Sequence, residues 1–124
     1  MPQDRLGTEI QKGDIIVSMG HPDSLCIGVA LGGFTPQFTR VNIMNFYLWS
    51  NCILQTNDKL KTHHLLVVSE EHLPNLIEKL VRKRLENQER NEYDYNANNF
   101  LTELQIRNKI QEVLDMSTEM KEEQ

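Results

Sequence analysis

Apolar and polar positions follow two different periods along the chain, and the change between them falls near residue 69. Before it, apolar runs are short and separated by turn formers. Gln11-Lys12-Gly13-Asp14 reads as a turn that launches a strand at Ile15-Ile16-Val17. Met19 to Asp23 is a second turn, and Ser24 to Leu31 a second strand, whose Gly28 marks a bulge or a close backbone approach. Gly32 to Pro36 breaks that strand. From Phe38 to Met44 the pattern alternates. Thr39, Val41 and Ile43 share one face, and Phe38, Arg40 and Asn42 the other, as in a half-buried strand. Tyr47 to Gln55 is a fourth β-prone run, Thr56-Asn57-Asp58-Lys59 a turn, and His64 to Val68 a last strand. Five short strands at this spacing predict a small barrel or a strongly bent sheet.

Beyond the change the period becomes helical. Ser69 to Leu73 reads as a short turn, and Pro74 suits a helix's first turn, where a missing N–H leaves no bond unmade. Leu76, Ile77, Leu80, Val81 and Leu85 then form one apolar stripe. Glu78, Lys79, Arg82, Lys83 and Glu86 occupy the opposite face, with Glu78 four residues ahead of Arg82 in the favourable order for an ion pair. Residues 87–99 are polar and Asn-rich, a fraying helix end and a connector. Asn98 or Asn99 is the expected N-cap of a second helix carrying Leu101, Leu104, Ile106, Ile110, Val113, Leu114 and Met120. Its last residues, Lys121 to Gln124, are expected to fray. The predicted organisation is α+β: a barrel over 1–73, then a helical segment over 74–124.

Composition narrows the function classes. The 124 residues suffice for a core, and 39% hydrophobic with 25% charged residues is ordinary for a folded domain. The net charge is −5, distributed as −2 over residues 1–75 and −3 over 76–124. Neither half has the basic footprint by which phosphate binders are recognised, so such a role must rest on a local patch. No apolar run approaches the length needed to span a bilayer, and no apolar segment follows Met1-Pro2-Gln3-Asp4-Arg5. The expectation is a cytoplasmic protein with no membrane partner, whose Cys26 and Cys52 are reduced and buried.

The candidate chemistry is sparse. Cys26, Cys52, His63 and His64 could meet around a metal. They lack the paired spacing of structural zinc sites, and adjacent strand residues such as His63 and His64 face opposite ways. Cys26 with His21, or Cys52 with His63, could form a thiol–imidazole pair, but both cysteines have apolar neighbours. No phosphate-binding glycine loop or nucleophile elbow is present. Glu70-Glu71 is accounted for by the helix that follows it. No catalytic residue, metal or cofactor is therefore expected. More informative are the aromatics Phe34, Phe38, Phe46, Tyr47 and Trp49, too many for a small core to bury. Phe38 and Arg40 share a strand face, with Lys59 and Lys61 near in sequence, a set suited to bases or peptide side chains. Lys79, Arg82 and Lys83, followed by Arg84, form the densest basic run. Ile106, Ile110, Val113 and Met120 fall near heptad spacing, which allows a homodimer through the last helix.

The opening Asp4-Arg5-Leu6-Gly7-Thr8-Glu9-Ile10-Gln11-Lys12-Gly13-Asp14-Ile15-Ile16-Val17 resembles the start of SH3-like domains of the KOW/Tudor type. It is similar in particular to small accessory proteins of T4-type tailed phages. Ile27-Gly28-Val29-Ala30 and Phe34-Thr35-Pro36-Gln37-Phe38-Thr39-Arg40-Val41 match further short elements of such domains, and the resemblance covers residues 4–73. It implies a five-stranded SH3-like β-barrel and a host-takeover role through nucleic acid or a host protein that handles it. The acidic balance of this barrel departs from the basic surfaces of nucleic-acid-binding relatives. The expected function is a non-enzymatic binding module using Phe38, Arg40, Trp49, Lys79, Arg82 and Lys83. A pure adaptor or inhibitor of a host protein is the alternative. A ligand-binding or enzymatic use of Cys26, His21 or His63 is the second.

Overall fold

A computed structural model describes residues 2–18, 24–32, 35–47, 53–90 and 101–123. The strands are β1 (Ile15–Ser18), β2 (Ser24–Gly32), β3 (Phe38–Tyr47), β4 (Ile53–Lys61) and β5 (Leu65–Val67); the helices are α1 (Leu73–Arg90) and α2 (Glu103–Glu122). All strand pairings are antiparallel, in the order β4-β3-β2-β1-β5. The chain is thus α+β, a five-stranded antiparallel sheet with two helices. Among the described residues no ladder joins β4 to β5, so the sheet does not close into a barrel.

The sheet is nevertheless strongly coiled, and its connectivity requires this. β4 and β5 are its opposite ends, yet only the 3₁₀ turn Thr62–His64 links them. Four inter-strand spacings would set the ends of a flat sheet about 19 Å apart. The chain from Lys61 to Leu65 can reach only about 14 Å. Coiling gathers one face of the sheet into a core of Ile10, Ile16, Cys26, Ala30, Val41, Ile43 and Leu65, with Leu60 and Val67 packed against it. Within it the hydroxyls of Thr39 and Thr62 bond at 2.9 Å, which satisfies two buried polar groups at once.

The other face carries the helices. Ile27, Val29 and Met44 pack with Leu80 and Val81 of α1 and Ile106, Ile110 and Val113 of α2. The helical segment therefore shares a core with the sheet. The near-heptad seam of α2 faces inward: Ile106, Ile110 and Val113 are buried, and Met120 packs half-buried against the same core. The surface expected to support a homodimer is occupied inside the chain, while Leu104, one of the apolar residues by which the helix was expected, is 68% exposed. The end of α2 docks on the turn before β1: Ser117 Oγ donates to the carbonyl of Gly13, and Lys121 lies 3.9 Å from Asp14. Those contacts hold the last turn in place of the expected fraying.

Other boundaries also moved. Thr56 to Lys59, expected as a turn, lies within β4 and pairs with Ile43 to Arg40 of β3. Long-range pairing supplies the backbone partners that a local turn would otherwise offer, and so overrides turn propensity. His63 and His64 belong to the 3₁₀ turn rather than to β5, and residues 87–90 continue α1. The N-cap of α2 is Thr102, not Asn98 or Asn99, which lie outside the described residues. Thr102 Oγ1 accepts from the Gln105 N–H while Gln105 Oε1 accepts from the Thr102 N–H, a reciprocal box that satisfies two otherwise orphaned donors.

The N-terminal segment covers an edge. Arg5 N–H donates to the Leu65 carbonyl at 2.9 Å. Asp4 is buried, and its carboxylate accepts N–H bonds from Leu6, Thr8 and Val67 at 2.8–2.9 Å. β5 would otherwise present unpaired backbone groups, a template for association with other chains.

Candidate nucleic-acid interface

The alternation in β3 puts Phe38, Arg40, Asn42 and Met44 on one face. Met44 is buried beneath the helices, Asn42 and Phe38 are half-buried, and Arg40 is exposed. The strand therefore emerges from under the helical layer toward its N-terminal end. The β3–β4 register places Lys61 opposite Phe38, Lys59 opposite Arg40, and Asn57 opposite Asn42. Directly opposed side chains on a sheet are close neighbours, so these six residues form one two-strand strip. Within it the Lys59 ammonium sits 5.0 Å from the centre of the Phe38 ring, in cation–π range. Asn42 donates through Nδ2 to Asn57 Oδ1 at 2.7 Å. Thr35 steadies the start of the strand, its Oγ1 accepting the Phe38 N–H at 3.1 Å. Beside Arg40 a shallow groove is lined by Leu31, Asn57, Asp58 and Lys59. The local balance is three cations (Arg40, Lys59, Lys61) to one carboxylate (Asp58), against the chain's net −5.

The helical candidates are placed differently. Lys79, Arg82 and Lys83 are exposed on α1, whereas Arg84, next in the same basic run, is 1% exposed. Arg82 borders a hollow lined by Glu78, Glu86, Glu89 and Glu103, an acidic setting that offsets its charge. Glu78 was expected to pair with Arg82, but its partner is Arg107 of α2, through bonds of 2.8 and 3.0 Å. Arg107 also bonds Glu103 at 2.8 Å. A planar guanidinium satisfies a carboxylate with two parallel bonds and so outcompetes a single contact along one helix.

These bonds from Arg107 hold the Glu78 carboxyl below its ordinary value of 4.5, with Arg82 adding a weaker pull. A depressed carboxyl stabilises the fold above that ordinary value and loses the contribution as pH falls through the lower folded value. The α1–α2 link is therefore expected to weaken only in acid. Melting curves of wild type and Glu78→Gln should differ near about pH 6 and draw together as the pH is taken well below the ordinary carboxyl value of 4.5. The groups are exposed, so the difference will be small and reduced by salt.

The remaining candidates do not form a site. Cys26 is buried in the concave core and His63 is exposed, so the two are not brought together. His21, Cys52, Phe34 and Trp49 lie outside the described residues. The rings of His63 and His64, expected on opposite faces, meet edge-to-face at 4.3 Å because a 3₁₀ turn, not a strand, carries them. Among the described residues no three His, Cys, Asp or Glu side chains are arranged to hold a metal ion. No helix among them is long and apolar enough to cross a membrane. Asn42 and Asn57 are the members of the strip that sequence reasoning missed. Their signal was the β3–β4 pairing, hidden by reading Thr56–Lys59 as a turn. No family model, curated protein or solved structure matches the chain.

Proposed function

We propose that the chain is a non-enzymatic binding module that takes nucleic acid on the β3–β4 strip. The carrying observation is the register that sets Phe38 and Arg40 against Lys61 and Lys59 where the helices leave the sheet exposed. Positive side chains there meet phosphates, and an aromatic ring beside them offers a stacking surface. The strand order, the coiled sheet and the 3₁₀ turn between β4 and β5 support an SH3-like arrangement, in keeping with the resemblance of residues 4–73. A phage accessory role in the host cytoplasm is the setting that resemblance implies.

Binding of labelled DNA and RNA at about 50 and about 200 mM salt tests the reading. Wild type should bind in a salt-sensitive manner. The double variant Arg40→Ala, Lys59→Ala should bind about tenfold more weakly, with a shallower salt slope. Absence of any salt-sensitive binding would remove it.

A protein partner is the second reading, favoured by the acidic surroundings of Arg82. Glu78, Glu86, Glu89 and Glu103 repel phosphate, so the Lys79, Arg82 and Lys83 face suits a protein surface of mixed charge. Recovery of one stoichiometric protein after nuclease treatment, lost on reversing the charges of Lys79 and Lys83, would favour it.

A further inference from the structure

The strip is asymmetric. Its aromatic part is a single ring, Phe38, and its anion-seeking part lies two residues along the same strand at Arg40. That step is about 6.8 Å. The groove beside Arg40 has a volume of about 410 Å³, near the lower end of the roughly 300–1,000 Å³ range of ligand clefts. Its donors are the Arg40 guanidinium, the Lys59 ammonium and the Asn57 amide NH₂, since Asn57 Oδ1 is already turned to Asn42.

Asp58 lines the same groove, and its Oδ1 accepts the Lys59 backbone N–H at 2.7 Å. One carboxylate among these donors limits the phosphate charge the groove can take to little more than one group, which matches a single contact point. The aromatic ring points the same way. A duplex hides its base faces in the stack, whereas a single strand presents a base face beside each phosphate. The Lys59 ammonium now occupies the Phe38 ring. A phosphate arriving at Arg40 would draw that ammonium toward itself and free the ring for a base.

We propose that the strip takes one nucleotide unit of a single-stranded nucleic acid, its phosphate against Arg40, Lys59 and Asn57 and its base on Phe38. This rests on the nucleic-acid reading above and narrows it to unpaired strands. Lys59 serves both halves, as a lid on the ring in the free protein and as a phosphate ligand in the complex.

The test titrates the full chain with a fluorescent single-stranded oligonucleotide of about ten nucleotides, the matching duplex, and inorganic polyphosphate. The single strand should bind at least tenfold more tightly than either of the others. Phe38→Leu should weaken single-strand binding about tenfold without altering its salt slope, because it removes stacking and leaves the cations. Lys59→Gln should lower the slope by about 0.7, one phosphate contact on a single strand. Phe38 is half-buried, so its ring resonances are followed in the wild-type protein as well. They should shift with the single strand and not with polyphosphate. Equal binding of duplex and single strand, or unmoved Phe38 resonances at saturation, would overturn the proposal while leaving the nucleic-acid reading in place. No salt-sensitive binding to any of the three polyanions would remove both.

Discussion

Replacing Gly28 by alanine is expected to lower the unfolding free energy by about 3 kcal/mol, although the change adds a single methyl group. Gly28 sits in the middle of β2, between Ile16 on β1 and Ile43 on β3. A Cβ there would lie 2.5 Å from the Asn42 carbonyl oxygen, 3.0 Å from Ile43 Cα and 3.2 Å from Ile43 Cβ. Two of these three atoms are backbone in a paired strand, which cannot yield without breaking ladder bonds on both sides. The added methyl would therefore force β3 away from β2 in the middle of their ladder. Urea titration should show a lower midpoint at similar slope. Gly7→Ala is the control. Gly7 has φ of 85° but no atom within 4 Å of an added Cβ, so only the backbone preference is lost, about 1 kcal/mol. A Gly28→Ala protein as stable as the Gly7→Ala protein would show that β3 can retreat from β2 without losing its pairing.

Asp4→Ala is expected to destabilise the fold by about 2–3 kcal/mol, by a different route. The buried carboxylate of Asp4 accepts three backbone N–H groups, two from its own loop and one from Val67 on β5. Bonds to a charged acceptor are the strong ones, and alanine replaces none of them. Asp4→Asn should rescue little. An amide offers one oxygen, and its NH₂ would face an N–H that needs an acceptor. The local readout is amide exchange. The N–H of Arg5 and Val67, protected in the wild type by the Leu65 carbonyl and by Asp4, should exchange faster in both variants than the amides of β2. Uniform exchange across the sheet would mean that the N-terminal segment is part of the global unit and not a separate clasp.

Much of the framework is readable from periodicity. The alternation from Phe38 to Met44 marks β3 and separates its faces correctly, and the stripe from Leu76 to Leu85 marks the buried side of α1. Pro74 locates the first turn of that helix. Errors arose where a distant partner decides. Thr56 to Lys59 has turn chemistry, but β3 supplies its backbone partners. Asn98 and Asn99 have good capping side chains, yet Thr102 has Gln105 three residues on and so completes a reciprocal cap. Glu78 has a suitable neighbour in Arg82 and bonds Arg107 instead, across 29 residues. The strip itself was half legible. Phe38 and Arg40 followed from alternation, while their juxtaposition with Lys59 and Asn57 depends on a register that no local pattern encodes. The three bonds of Asp4 carry no sequence signal beyond a lone carboxylate near a glycine.

The placement of α2 also governs the order in which this chain can fold as it is made. The face of the sheet formed by Ile27, Val29 and Met44 is covered by Ile106, Ile110 and Val113, which are synthesised only after β4, β5 and α1. At about 5–20 residues per second, a nascent chain that has completed β3 carries that apolar face without its α2 cover for several seconds. The sheet can form its ladder in that interval, but the native state waits for the helix whose Ser117 reaches back to Gly13 near the start of the chain. Ribosome-bound intermediates halted before Ile106 should therefore be the species most prone to chaperone capture or aggregation.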